Sequence, residues 1–407
     1  MADARAGAAL SELARSKWLL TAFVLMSLLP LVYPSLYWLT IICYLFTMGV
    51  FALSYDLVLG RTGVLSFGHA ACFGLGAYAV YWVVQAGYPF WLAVIAAMLL
   101  GAVTNVAMGT ALRRVKGVYF AMFTLAFAEI IYLYLEKQTS ITGGTAGVFS
   151  PRPDFLQNPN LVYVFAGIVA VAAVCIGCFL VFSSTTKMGR VKAVAGLLIL
   201  ACLVGYAFYN LNSSLFSQLQ SPIAAFTVNA YFLSALLMFV SYYLVSRLSR
   251  SPLGAIMTAI RENDDRMDMV GYDTFRYKLV IMGVSGLFAG LSGAMLASLA
   301  TFILTPDVMS ANYTLNVLLY SILGGIGTMV GPVIGAFVVE FLHFNIGNIA
   351  SFIGVPSVAN WWMLIIGVFY VAVVLLLPYG IVGTAMIRGR RTLDVLRRAI
   401  GGGGSHG

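Results

Sequence analysis

The feature that most constrains this chain is a succession of apolar runs too long for a soluble core. They cover residues 18–34, 36–59, 63–84, 90–112, 117–135, 161–182, 192–209, 226–246, 279–304, 313–325, 332–349 and 360–378, with few charges inside them. A helix needs roughly 20 apolar residues to cross a bilayer, so most of these runs reach the length of a span, and only 313–325 is clearly short. Charged residues make up 9% of the chain, against about a quarter in soluble domains. Membrane barrels alternate polar and apolar residues in segments of about ten, and these runs do not alternate. The expectation is an all-α polytopic membrane protein with about 10–12 transmembrane helices in the lipid bilayer.

The chain carries 23 basic and 14 acidic residues. In a membrane protein such an excess reports loop charge and orientation, so nucleic acid is not expected as a partner. With the N-terminus in the cytoplasm, alternation of the spans puts 21 of the 23 basic residues on the cytoplasmic side, with only Lys137 and Arg152 outside. Trp38, Trp82, Trp91, Trp361 and Trp362 then fall at outer ends and Trp18 at an inner one, as in an interfacial belt. The implied division is a cytoplasmic segment at 1–17, a transmembrane domain at 18–387 that includes the cytoplasmic loop 247–278, and a basic cytoplasmic tail at 388–400. The Gly-rich stretch 401–407 reads as a linker or tag remnant. Proline at 30 and 34 and the lack of a small-residue cleavage site make the first run a retained helix rather than a signal peptide. Cys43, Cys72, Cys175, Cys178 and Cys202 all lie in apolar runs and read as small buried hydrophobes. Neither a metal-ligand set nor a catalytic residue is expected.

Two apolar regions are interrupted by glycine and polar residues in corresponding parts of the two halves, Gly60 to Ala70 and Gly324 to Pro332. Paired interruptions point to an inverted-repeat permease with broken or re-entrant helices; a short cytoplasmic turn at each place would read the same. Gly283, Gly286, Gly290 and Gly293 recur at helical spacing, a stripe that lets another helix pack closely. Ionisable residues inside the apolar runs are Asp56, Glu129, Glu340, His69 and His343. Each is expensive in a membrane and so a functional candidate. Asp56, near an inner end, is expected to reach water or Arg61. Glu129 lies deeper, without an obvious basic partner, and is either neutral or facing a wet cavity. Glu340 and His343 share a helical face as a structural pair or a proton relay.

Charge concentrates in the loop 247–278, which holds 11 of the 37 charged residues. Ser251 followed by Pro252 is a helix start. Leu253, Ile256, Met257 and Ile260 then follow at amphipathic spacing. After Arg261 and Glu262, Asn263 or Asp264 can cap a second short helix carrying Arg266 and ending at Gly271. Its acidic residues would repel an anionic leaflet, which favours a protein partner. None of the six lysines follows a glycine, so there is no phosphate-cradling P-loop. If ATP drives this protein, the ATPase is another chain.

Several ordered motifs carry a resemblance. Gly63-Val-Leu-Ser-Phe-Gly-His-Ala-Ala, Val118-Tyr-Phe-Ala-Met-Phe-Thr, Thr142-Gly-Gly-Thr-Ala-Gly, Ser251-Pro-Leu-Gly, Ala259-Ile-Arg-Glu-Asn, Arg276-Tyr-Lys-Leu, Gly324-Gly-Ile-Gly-Thr and Leu377-Pro-Tyr-Gly are involved. Together they resemble the second permease subunit of branched-chain amino acid ABC importers, a family that includes urea and short-chain amide permeases. The resemblance implies a homologous sister permease, two cytoplasmic ATPase subunits that bind ATP and Mg, and an extracytoplasmic substrate-binding protein. It also implies that the loop around Ser251 to Gly271 couples to an ATPase, in a multi-pass protein of the bacterial inner membrane working by alternating access without a cofactor of its own. Candidate pathway residues are Ser66, His69, Glu129, Thr142, Gly143, Gly144, Gly325 and Gly327. Residues 183–225 are longer than the family pattern and add a hydrophobic segment. The rival class is a proton-coupled secondary transporter using Glu129, Glu340 or His343, and a third is a membrane scaffold with no pathway. The carried solute is expected to be a branched-chain or related amino acid, with urea, amides and small carboxylates as alternatives.

Overall fold

The structure, a computed structural model, describes residues 35–150, 152–162, 164–165, 222–300, 302–352, 362–377 and 379–384. It is helical almost throughout. The α-helices longer than five residues among the described residues are α1 (Leu36–Thr62), α2 (His69–Gln85), α3 (Phe90–Gly109), α4 (Val118–Lys137), α5 (Pro222–Ser249), α6 (Pro252–Glu262), α7 (Asp264–Met269), α8 (Thr274–Leu299), α9 (Ala311–Gly324), α10 (Val330–Phe352) and α11 (Trp362–Leu376). Among the described residues seven helical stretches are long and apolar enough to cross a membrane, as a polytopic α-helical membrane protein requires. The expected spans at 18–34 and 192–209, and nearly all of 161–182, lie outside the described residues, as do Cys175, Cys178 and Cys202.

One expected span needs correction. The run 63–84 is helical only from His69, because Gly63 to Gly68 is irregular, leaving α2 with 17 residues, fewer than the roughly 20 of a full span. The run 313–325, short in the sequence, is α9, with 14 residues.

The chain divides into two compact units. Of the described residues, one unit contains those up to Cys43 and those from Arg152 to Phe239, and the other those from Tyr44 to Ser150 and from Val240 onward. In the first, the buried Asn229 amide donates to the carbonyls of Leu156, at 2.8 Å, and Asn158, at 3.0 Å. That ties α5 to the preceding loop.

The second unit is built around α8. A Cβ added at Gly286 would overlap the Gly101 carbonyl, one at Gly290 the Ala97 carbonyl, and one at Gly293 the Phe73 carbonyl. The glycine stripe thus brings α8 backbone to backbone with α3 and α2, the close packing that small residues permit in lipid. Phe51, Phe73, Tyr78, Ala289 and Tyr320 form the centre of the core. By contrast α3, α4 and α11 expose apolar residues such as Leu99, Val103, Ile130 and Val371, the surface expected against lipid tails.

Candidate functional site

The candidate residues occupy different levels of the second unit. Residues 64–68 of the irregular stretch before α2 donate no backbone-to-backbone hydrogen bond, and other helices supply partners. Thr124 of α4 accepts the Phe67 amide at 2.9 Å, Thr314 of α9 accepts the Ala70 amide at 3.0 Å, and the Tyr55 hydroxyl of α1 donates to the Ser66 carbonyl at 3.1 Å. Non-helical backbone at membrane depth is tolerated only when satisfied in this way. Ser66 and His69 are both fully buried. The His69 Nε2 lies 2.9 Å from the Ser54 hydroxyl and 3.4 Å from that of Ser285, while Phe51 stacks on its ring. His69 therefore sits in a polar knot joining α1, α2 and α8.

About 13 Å further along α2, nine residues at 1.5 Å each, lies the Thr142 to Gly147 segment. Its glycines at 143, 144 and 147 have φ of 69°, 61° and 72°, left-handed values that residues with a Cβ rarely adopt. The buried Thr142 hydroxyl donates back to the Leu135 carbonyl. The Thr305 hydroxyl donates to the Gly144 carbonyl at 3.2 Å and lies 2.7 Å from the Tyr78 hydroxyl. The Trp82 indole donates to the Ile141 carbonyl at 3.0 Å. A two-residue strand pair, β1 (Val148–Phe149) against β2 (Phe302–Ile303), completes this cap. Its outer face carries the paired rings of Phe149 and Phe302, 4.1 Å apart.

The opposite, basic end contains Gly325 and Gly327, in a turn joining α9 to α10, and the charged loop. Gly325, Gly327 and Met329 all have positive φ, 113°, 79° and 61°. The Gly327 amide donates to Asp56 Oδ1 at 2.7 Å, and Arg261 of α6 donates through Nη1 to the Gly60 carbonyl at 2.6 Å. Asp56 is 2% exposed, so of the two expected surroundings, water or Arg61, it is Arg61 that it meets: its carboxylate accepts a backbone amide and lies near the charges of Arg61 and Arg261.

The charged loop forms the two expected helices. Ser251 Oγ accepts the Gly254 amide at 3.4 Å, and Asn263, rather than Asp264, caps α7 by accepting the Arg266 amide at 2.9 Å. Met257 and Ile260 are buried, with Leu253 and Ile256 half-buried, so the apolar face of α6 packs on its own chain. What the loop presents outward is Glu262, Arg266 and the tip beside Gly271, where Met269 is 87% and Val270 67% exposed. Sequence reasoning missed this pair, because two apolar residues at the end of a short acidic helix make no periodic pattern. Asp264 anchors the loop to α8 through Lys278, with Lys116 at 4.0 Å. Burial alone would raise the Asp264 carboxyl, but the hydrogen bond and charge of Lys278, helped by Thr274 and Lys116, hold it below its ordinary range. A cleft of about 380 Å³ opens here, lined by residues that include Thr62, Gly63, Lys116, Arg261 and Asp264.

Glu129 joins none of these groups. It is half-buried on α4, the helix whose Tyr132 donates to Glu136 at 2.9 Å. Glu340 is 5% exposed; it accepts from the Tyr320 hydroxyl, and its other oxygen lies 4.0 Å from His343 Nδ1. No group of three or more His, Cys, Asp or Glu side chains among the described residues could hold a metal ion.

The chain is similar to the high-affinity branched-chain amino acid transport system permease protein LivM of Salmonella typhimurium and to that of Escherichia coli, each 26% identical over 289 residues. That alignment covers 70% of this chain and 58% of each relative. The chain thus spans somewhat more than half the length of these relatives. It is also similar to a probable branched-chain amino acid transport permease protein LivM of Methanocaldococcus jannaschii, 21% identical over 60% of this chain and 75% of that protein. No solved structure matches. The family model described as branched-chain amino acid transport system / permease component matches residues 37–374. That range takes in the satisfied break before α2, the glycine cap and the basic-end turn alike, and on it the chain belongs to the branched-chain amino acid transport permease family.

Proposed function

We propose that this chain is a transmembrane subunit of an ATP-driven importer that carries branched-chain or related amino acids inward across the bacterial inner membrane. Its basic end faces the cytoplasm in this reading, in keeping with the positive-inside rule, and both termini lie on that side. A homologous sister permease completes the pathway, two cytoplasmic ATPases supply the work, and an external substrate-binding protein delivers the solute. Family membership supports the solute class.

The observation that carries the coupling is the charged loop, a rigid pair of capped helices whose tip exposes Met269 and Val270 in otherwise polar surroundings. An exposed apolar tip rimmed by charge is what a protein groove recognises. ATP binding would draw the ATPases together and move the docked tip. Because Met257 and Ile260 bind α6 to the bundle, that motion would be passed to the spans, opening the pathway to alternate sides.

Replacing Met269 and Val270 together by aspartate tests this. Copurification of the ATPase with the tagged permease is expected to fall at least tenfold, with the permease still inserted. Undiminished copurification would overturn the docking assignment.

A further inference from the structure

Asp56, a buried carboxylate on α1, lies where three elements meet. The last carbonyls of a helix have no partner within it. At the end of α1 the Thr62 hydroxyl donates to the Val58 carbonyl at 2.7 Å, the Gly63 amide to that of Leu59 at 3.2 Å, and Arg261 of α6 to that of Gly60 at 2.6 Å. One turn back, Asp56 Oδ1 takes the Gly327 amide of the α9–α10 turn at 2.7 Å, with the Met329 amide close by. A carboxylate near the negative end of a helix is unfavourable unless compensated; here Arg61 and Arg261 compensate it.

The fit leaves no slack. A Cβ on Gly60 would overlap the Asp56 carboxylate and come within 2.8 Å of the Gly327 nitrogen. A Cβ on Gly327 would lie 2.9 Å from Arg261 Nη1 and 3.1 Å from the Gly60 carbonyl oxygen. Glycine at both positions lets α1, α6 and the α9–α10 turn close on one another. Gly63 continues the contact, because its Cβ would lie 3.1 Å from the Arg261 Cγ.

We infer that Asp56 is a positioning residue for transport, the bolt through which movement of α6 reaches the α9–α10 turn as well as the break after α1. This rests on the reading of the chain as an importer subunit. Arg261 pulls on the end of α1, and Asp56, one turn earlier on the same rigid helix, carries Gly327 with it. The two interrupted segments, 63–68 and 325–329, then move as one body rather than independently.

The test uses the whole importer in proteoliposomes, with the binding protein, radiolabelled leucine as the probe and Asp56→Ala, Gly60→Ala and Asp56→Asn as variants. Asparagine keeps an acceptor for the Gly327 amide; the other two remove or displace it. Leucine carried per ATP hydrolysed is expected to fall at least tenfold in Asp56→Ala and Gly60→Ala, with hydrolysis per assembled complex within twofold of wild type. Asp56→Asn should retain at least a third of the wild-type ratio. Amide exchange supplies a readout independent of the solute. A nonhydrolysable ATP analogue should alter exchange at 252–269 and at 325–329 in wild type, and Asp56→Ala should abolish only the response at 325–329. The assignment is overturned if that response survives in Asp56→Ala, if wild type responds only at 252–269, or if the variants merely lower the amount of assembled complex. A wild-type importer that shows no nucleotide response at 252–269 would instead sink the ATP-driven reading itself.

Discussion

Hydroxyl groups scattered singly through the apolar runs hold the unusual backbone of this protein. Thr124, Thr314 and Tyr55 each serve one backbone group of the 66–70 stretch. A buried amide left unpaired costs about 1–3 kcal/mol, so three such bonds decide whether the break can exist. Ionic contacts matter most where they leave the membrane. The Asp264 carboxyl is depressed once the Lys278 bond has overcome burial, so its ionised form stabilises the loop at every pH above the ordinary carboxylate value of about 4. That stability is lost as pH falls through the depressed native value. Protection of the amides across 264–278, measured as exchange relative to the intrinsic rate at each pH, should therefore be steady from about pH 8 to pH 5 and fall below about pH 4. In Asp264→Asn protection should be lower at neutral pH and lack the acid step. An acid step of wild-type size in Asp264→Asn would assign it to another group.

At the level of elements, the packing of α8 is set by what is missing from its surface. Gly286, Gly290 and Gly293 face backbone carbonyls of α3 and α2, with no space for a methyl group. Overpacking a core typically costs about 1–3 kcal/mol, and backbone yields less readily than side chains. Gly290→Val is expected to lower the thermal midpoint of the purified permease by several degrees and reduce its yield. Gly347→Val is the control, because a Cβ there meets nothing within 4 Å. Equal effects in the two variants would mean that valine in these helices, rather than the α8 interface, is at fault. The same glycine chemistry defines the cap at 143–147 and the turn at 325–327, where positive φ adds to close approach in setting the requirement.

For the whole molecule, the candidate residues among those described do not gather into one pocket; they are spread along the second unit. Changing Arg261 and Glu262 together to alanine should leave the complex assembled and hydrolysing ATP while leucine uptake falls at least tenfold. Uptake that persists, or that needs no ATPase, would place the driving force elsewhere.

Periodicity and capping make much of this legible in the amino-acid sequence. The helices flanking the interruptions, the Ser251 start of α6 and the glycine stripe of α8 lie where the sequence points, because each depends on residues within a few positions of one another. Two expectations at the same scale needed tertiary contacts to resolve them. Residues 63–68 are legible as interrupted but not as buried irregular backbone, since a surface turn would use the same glycines. Asn263 and Asp264 are equally good caps until Lys278 of α8 takes the Asp264 carboxylate and the Arg266 amide goes to Asn263. What no local pattern could convey is the pairing of Asp56 with Gly327 or of Gly60 with Arg261, partners separated by 271 and 201 positions. The membrane's demand that apolar stretches be helical acts on each segment alone, so composition and spacing determined the helices. Which buried polar groups satisfy one another depends on how those helices close in space, and that only the tertiary structure decided.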